Sequence, residues 1–201
     1  MSVGEGSKGT ASARGYHHGD LRAALVSAAR EVLETAAPDA VTLKSLALKL
    51  GVSQSAPYRH FETREAVLAA VAADGFLRFR EALVASQADA ASGDRFERAC
   101  LAYVAFGRTN PGVYKLMFAS PITPSGGDGP LEDAADRAFQ FLLDGVAQFA
   151  APERARTVAL WVWSTLHGLV MLEADCMLVQ DGKAEAAAAG VIRELVRALS
   201  A

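Results

Sequence analysis

The chain has 201 residues, with Lys and Arg at 20 positions against Asp and Glu at 23, and a formal net charge of −3 at pH 7. That length suits one or two small domains with a real core, and a negative balance argues against a protein that coats nucleic acid with its whole surface. Only two cysteines are present, Cys100 and Cys176, far apart and without metal-ligand spacing, so a cytoplasmic protein with reduced thiols, no metal and no cofactor is expected.

Residues 1–15 are rich in Gly and Ser and lack an apolar core, so they read as a flexible arm and not as a signal peptide. His17, His18 and Asp20 follow, but adjacent histidines beside a terminus make a poor metal site. From Gly19 to Thr35 the pattern is an amphipathic helix, with Leu21, Leu25, Ala28, Ala29, Val32 and Leu33 on one side. Pro38 and Asp39 break it, and Thr42 is placed to cap a second helix whose apolar face is Leu43, Leu46, Ala47 and Leu50. Gly51 can take the left-handed conformation that ends this helix. Val52 can pin the turn, and Ser53 can cap a third helix over about residues 54–61 with its hydroxyl. That third helix has polar groups at its start and Tyr58, Arg59 and His60 near its end. A helix that only packed would be amphipathic; this polar one suits the DNA major groove.

The order and spacing of these elements, with Thr63 and Arg64 opening a long helix after Phe61, resemble the DNA-binding domain of the TetR family of transcriptional regulators over about residues 19–79. The resemblance implies that Thr42, Lys44, Tyr58, His60 and Arg64 hold phosphates while Gln54 and Ser55 face base edges, with Ser53, Ala56 and Arg59 completing the surface. Two positions depart from the family pattern. Arg64 stands where Lys is usual, and Pro57 stands where many relatives have Leu or Ile; early in a helix a proline costs at most one hydrogen bond. Residues 1–64 carry a balance of +2 against −5 for the remainder, a mildly basic head on an acidic body.

Beyond residue 64 no strand pattern appears, and the expected class is all-α. Helices are expected over Thr63 to about Ala90, from Asp94 (with Glu97 as a capping-box partner), from Asn110 to near Phe118, over 131–149, from Pro152 to about Val179, and over 184–199, with a loop over 121–130. Residues 157–172 carry no formal charge but are too short for a comfortable membrane crossing, so a buried helix is expected and no membrane contact. Asn110–Phe118 and Trp163–Glu173 are similar to the WHG type of TetR C-terminal domain, matched by Trp163, His167 and Gly168. The resemblance implies a ligand-responsive body: residues 16–64 read double-stranded DNA, and 65–201 bind a small apolar effector and pair as a homodimer. Phe106, Tyr114, Met117, Phe118, Trp163, His167 and Met171 are the candidate effector contacts, although residues of this kind on an apolar helix are core by default. Apolar positions on the last two helices, among them Ala155, Val158, Val162, Leu166, Leu169, Val191, Ile192 and Leu195, cover more surface than one contact face needs, which is the ground for pairing. A helical binding protein without operator binding remains an alternative. An enzyme is the remotest, because no nucleophile elbow, zinc-binding pair or phosphate loop is present.

Overall fold

The structure is a computed structural model that describes residues 21–119, 129–178 and 183–201. The arm expected over 1–15, the His17, His18 and Asp20 group, and most of the 121–130 loop lie outside those residues. Among the described residues eight α-helices follow in order: α1 (Leu21–Leu33), α2 (Leu43–Leu50), α3 (Arg64–Ala85), α4 (Arg95–Thr109), α5 (Pro111–Ala119), α6 (Pro130–Val146), α7 (Pro152–Ala174) and α8 (Ala184–Leu199). Among the described residues there is no strand.

Local chemistry sets the ends of α2 tightly. Thr42 accepts from the Ser45 amide at 3.0 Å while its own amide donates to Ser45 Oγ at 3.0 Å, a reciprocal cap. Gly51 has φ 66° and ψ 27°, and the chain closes behind it with Gly51 N–H to Leu48 O at 3.2 Å and Val52 N–H to Ala47 O at 3.0 Å. These two bonds satisfy carbonyls the helix would otherwise orphan.

The segment beyond Ser53 does not form the expected third helix. Residues 54–56 are turns, and only Pro57–Arg59 is helical, of the tighter 3₁₀ kind. Proline has no N–H to give to Ser53 O. The bonds become Ala56 to Ser53, Arg59 to Ala56 and His60 to Pro57, with a single longer one from Phe61 to Pro57. Ser53 makes no side-chain cap either; its hydroxyl lies 3.3 Å from that of Ser55.

α3 is the axis of the molecule. Thr63 caps it by accepting from Ala66 N–H at 3.1 Å, and it packs against α1, α4, α5 and α6. Val67, Leu68, Val71, Phe76, Phe79 and Leu83, apolar residues at helical spacing, are buried. The helix ends at Ala85, short of the expected Ala90, because Ser86 Oγ bonds the Leu83 carbonyl at 2.7 Å and the next amides make three-residue turns. Asp94 does not form the expected cap. Its backbone is already helical (φ −96°, ψ −11°), which denies its side chain the reach of an extended capping residue. Pro130 belongs to α6 and not to the loop, at a first position where its missing N–H costs nothing. α6 runs out at Val146, three residues before the expected Phe149. α7 stops at Ala174, short of Val179, where Cys176 turns left-handed (φ 56°) and Met177 N–H returns to Leu172 O at 2.8 Å. By length and composition α7 could cross a membrane. Here it packs on α4, α6 and α8 with Val158, Ala159, Val162, Leu166, Leu169 and Val170 buried.

Two glycines let α5 lie deep between the other helices. A Cβ on Gly75 would sit 2.8 Å from Met117 Sδ and 2.8 Å from Val113 Cγ1, and one on Gly112 would fall on the Leu33 carbonyl oxygen. The second obstacle is backbone and cannot rotate away. Gly112→Ala is therefore expected to lower stability by about 1–3 kcal/mol through overpacking, read as a lower urea midpoint at unchanged slope.

Candidate nucleic-acid interface and body cavity

The head presents its polar residues outward. Thr42, Lys44, Ser53, Gln54, Ser55, Tyr58, Arg59 and His60 are all exposed, Tyr58 by 57 %, and Ala56 is half-buried. Pro57 and Phe61 are the buried anchors between them, and the Arg22 guanidinium sits 4.9 Å above the Phe61 ring. The tight turn thus pins its apolar residues to the core while Gln54, Ser55, Tyr58 and Arg59 project. Arg64 stands apart from this set. Its Nε donates to Val41 O at 3.0 Å, and its two terminal nitrogens reach Asp39 at 3.0 Å and Glu65 at 3.3 Å. It holds the α1–α2 connection onto the start of α3, a role that sequence spacing did not signal because Asp39 lies far away along the chain.

The body encloses an aromatic cavity of about 410 Å³. Phe76 and Phe79 of α3, Tyr103 of α4, Met117 and Phe118 of α5, Phe139 of α6 and Trp163 of α7 wall it. Exposed Asp136 and Arg156 also border it, the Arg156 guanidinium 5.4 Å above the Phe139 ring. Of the candidates named from sequence, Met117, Phe118 and Trp163 line this space. Phe106, Tyr114, His167 and Met171 do not: Phe106 packs on Phe79 at 5.2 Å and borders a separate shallow groove between α3 and α4. Of the missed wall residues, Phe76 and Phe79 lie on the periodic apolar face of α3, while Tyr103 and Phe139 come from helices whose facing was not read from spacing.

His167 reaches the cavity indirectly. Its Nδ1 lies 2.7 Å from the Tyr114 hydroxyl, which lies 2.9 Å from the Tyr103 hydroxyl in the wall. Burial pushes the Tyr103 phenol up to about 12, with its polar neighbours Tyr114 and Trp163 opposing the rise. Burial also raises Tyr114, with Tyr103 adding to it, and burial lowers His167. All three groups are neutral at neutral pH. The buried Cys100 thiol, also in the wall, is pushed up to about 12 by burial and stays protonated.

The lowered His167 value makes stability depend on pH. Below its ordinary value of 6.5 the unfolded chain takes up a proton that the folded chain resists, so this contribution is complete above 6.5 and is lost as pH falls. His167→Gln should therefore show a smaller fall in Tm than wild type between about pH 7.5 and about pH 5, measured by parallel thermal melts.

The architecture has clear counterparts. Residues 25–71 match the profile described as bacterial regulatory proteins, tetR family, and residues 96–199 match that of the tetracyclin repressor-like C-terminal domain. The chain is 28 % identical over 165 residues to the uncharacterized HTH-type transcriptional regulator Rv0681 of Mycobacterium tuberculosis, covering 76 % of this chain and 69 % of that one. A protein of unknown function from Rhodococcus sp. RHA1 superposes with a TM-score of 0.81 at 30 % identity, over 94 % of this chain and all (100 %) of its own. A point variant of TetR from Acinetobacter baumannii AYE, solved in complex with minocycline, superposes at 0.60 with 22 % identity, over 87 % of this chain and 93 % of its own. With the exposed polar turn at one end and the helical body at the other, the chain belongs to the TetR family of DNA-binding transcriptional regulators.

Proposed function

We propose that this regulator is a cytoplasmic, dimeric repressor that binds a palindromic operator and releases it when a small, mostly apolar molecule enters the body cavity. Residues 16–64 would read DNA; residues 65–201 would sense and pair. The observation that carries the reading is that one helix serves both sites. The N-terminal end of α3 is tied to the DNA-facing head through Arg64, and its second half supplies Phe76 and Phe79 to the cavity wall. A molecule filling the cavity presses on Met117, which lies against Gly75 at the middle of α3. The minocycline complex is a precedent for a small-molecule complex in this fold. Occupancy shifts the protein only to the extent that the ligand prefers the non-binding geometry, about 5.5 kcal/mol for a shift from 1:99 to 99:1. Binding and not catalysis is the favoured use of the cavity, since Tyr103 and Tyr114 are bonded to each other and the Cys100 thiol stays protonated.

Pairing falls to α7 and α8, but of the side chains picked out in the sequence only Val191 is among the large apolar ones left exposed there. Val158, Val162, Leu166, Leu169, Ile192 and Leu195 are used up inside the monomer. The outward faces instead carry Trp161 (47 % exposed), Leu172 and Val191, beside Gly168 and Gly190, against whose Cβ positions nothing lies within 4 Å. A second copy can approach closely there. Trp161→Glu combined with Val191→Glu is expected to give a monomer by light scattering and to abolish tight operator binding; a dimer that survives both changes would move the interface elsewhere.

Sequencing the genomic fragments this protein retains tests the function directly. They should share a twofold-symmetric motif with half-sites ~34–36 Å apart, or a multiple of that, bound more weakly as salt rises. Within the head, Gln54→Ala should flatten preference at one or two bases by ~1–3 kcal/mol. Tyr58→Phe should weaken all sequences alike, as loss of a phosphate contact does. Arg64 can reach a phosphate only by yielding its Asp39 and Glu65 contacts, so Arg64→Ala should lower thermal stability along with affinity.

A further inference from the structure

The cavity wall includes Tyr103, whose hydroxyl takes its hydrogen-bonding sense from its neighbours. Tyr103 is 6 % exposed, and its hydroxyl pairs with that of Tyr114, which pairs with His167 Nδ1. The chain contains two phenols and one imidazole, so each of its two links needs one donor and one acceptor. A phenol is the stronger acid and an imidazole nitrogen the stronger base, so Tyr114 O–H donates to Nδ1 and the imidazole keeps its proton on Nε2. The Tyr114 oxygen is then an acceptor, and Tyr103 O–H donates to it. Among the described residues no other hydrogen bond reaches the Tyr103 oxygen, and its lone pairs remain free in a wall built from aromatic rings.

We infer that the effector is a largely aromatic, neutral molecule carrying a hydroxyl or N–H group, and that this group donates to the Tyr103 oxygen. This rests on the reading of the cavity as the effector site. A ligand whose polar group can only accept would set its lone pair against that of Tyr103, which is the stronger source of discrimination because a buried mismatch cannot be repaired by water. His167 acts as a positioning residue here: it never touches the ligand but fixes the direction of the whole chain.

Three probes built on one naphthalene ring test the idea by calorimetry on the full chain: 2-naphthol, its methyl ether 2-methoxynaphthalene, and 2-acetylnaphthalene. Wild type should bind the naphthol about tenfold or more tighter than either of the others, the scale of one buried hydrogen bond. Tyr103→Phe should bring the three affinities together. Tyr114→Phe removes the acceptor for the Tyr103 proton and frees it to donate into the cavity, so this variant should gain affinity for the acetyl compound. Circular dichroism melts establish that both variants fold, and the gain in Tyr114→Phe cannot come from mere damage to the core. Equal binding of naphthol and ether by wild type, or a naphthol preference that survives Tyr103→Phe, overturns the assigned polarity while leaving the cavity as a binding site. Failure of all three probes to bind overturns the cavity reading along with it.

Discussion

Because α3 is a single unbroken helix of 22 residues that is buried along most of its length, it has to satisfy two cores at once. Its first turns, with Val67, Leu68 and Val71, lie between the Arg64 bond to Val41 and the Asp74 bond to Arg30 of α1, and so complete the head. Its later turns put Phe76, Phe79 and Leu83 among the aromatic side chains of the body. A helix resists bending within such a span. Whatever moves one end therefore moves the other, and a rigid lever between reading and sensing needs no further hinge within it.

The body balances close packing against empty space. Gly75 and Gly112 bring α5 almost onto the backbones of α3 and α1, which is where contact is tightest. On its other side α5 leaves Met117 and Phe118 facing open volume bounded by large flat rings. Rings pack edge to face with voids at their corners, as with Phe76 and Phe118 at 5.3 Å and 78°, so an aromatic interior keeps space that branched aliphatic residues would fill. The buried hydroxyls of Tyr103 and Tyr114 remain tolerable there only because they bond each other and His167.

Much of this is legible in the sequence, for local reasons. The extents of α5 and α8, the cap at Thr42, the left-handed Gly51 and the buried face of α3 all follow from periodicity or from one residue's conformational limits. The outward exposure of the polar residues between Thr42 and His60 agrees with their polar pattern. Failures come where two local preferences compete or where the deciding partner is distant. Pro57 shortens the third helix into a turn because its missing N–H outweighs the helical pattern around it. The resemblance gives Arg64 a phosphate to hold, and its bonds to Asp39 and Val41 went unread because only the folded chain brings those partners to it. His167 reads as a cavity residue, though the atom that reaches the wall belongs to Tyr103, two hydrogen bonds away.

The shared role of α3 also decides where this protein can be cut and rejoined. A graft of its head onto another body with a junction at residue 64 would strip away Val67, Leu68 and Val71 and leave α1, which packs on α3, against a foreign helix. A junction after Asp74 keeps the head's own lid, together with the Arg30 bond that orients it. It also places the seam at Gly75, where the incoming body must supply a neighbour as slim as the one Met117 and Val113 allow. Chimeric regulators built from this chain therefore have to exchange the first three turns of α3 along with the residues that touch DNA.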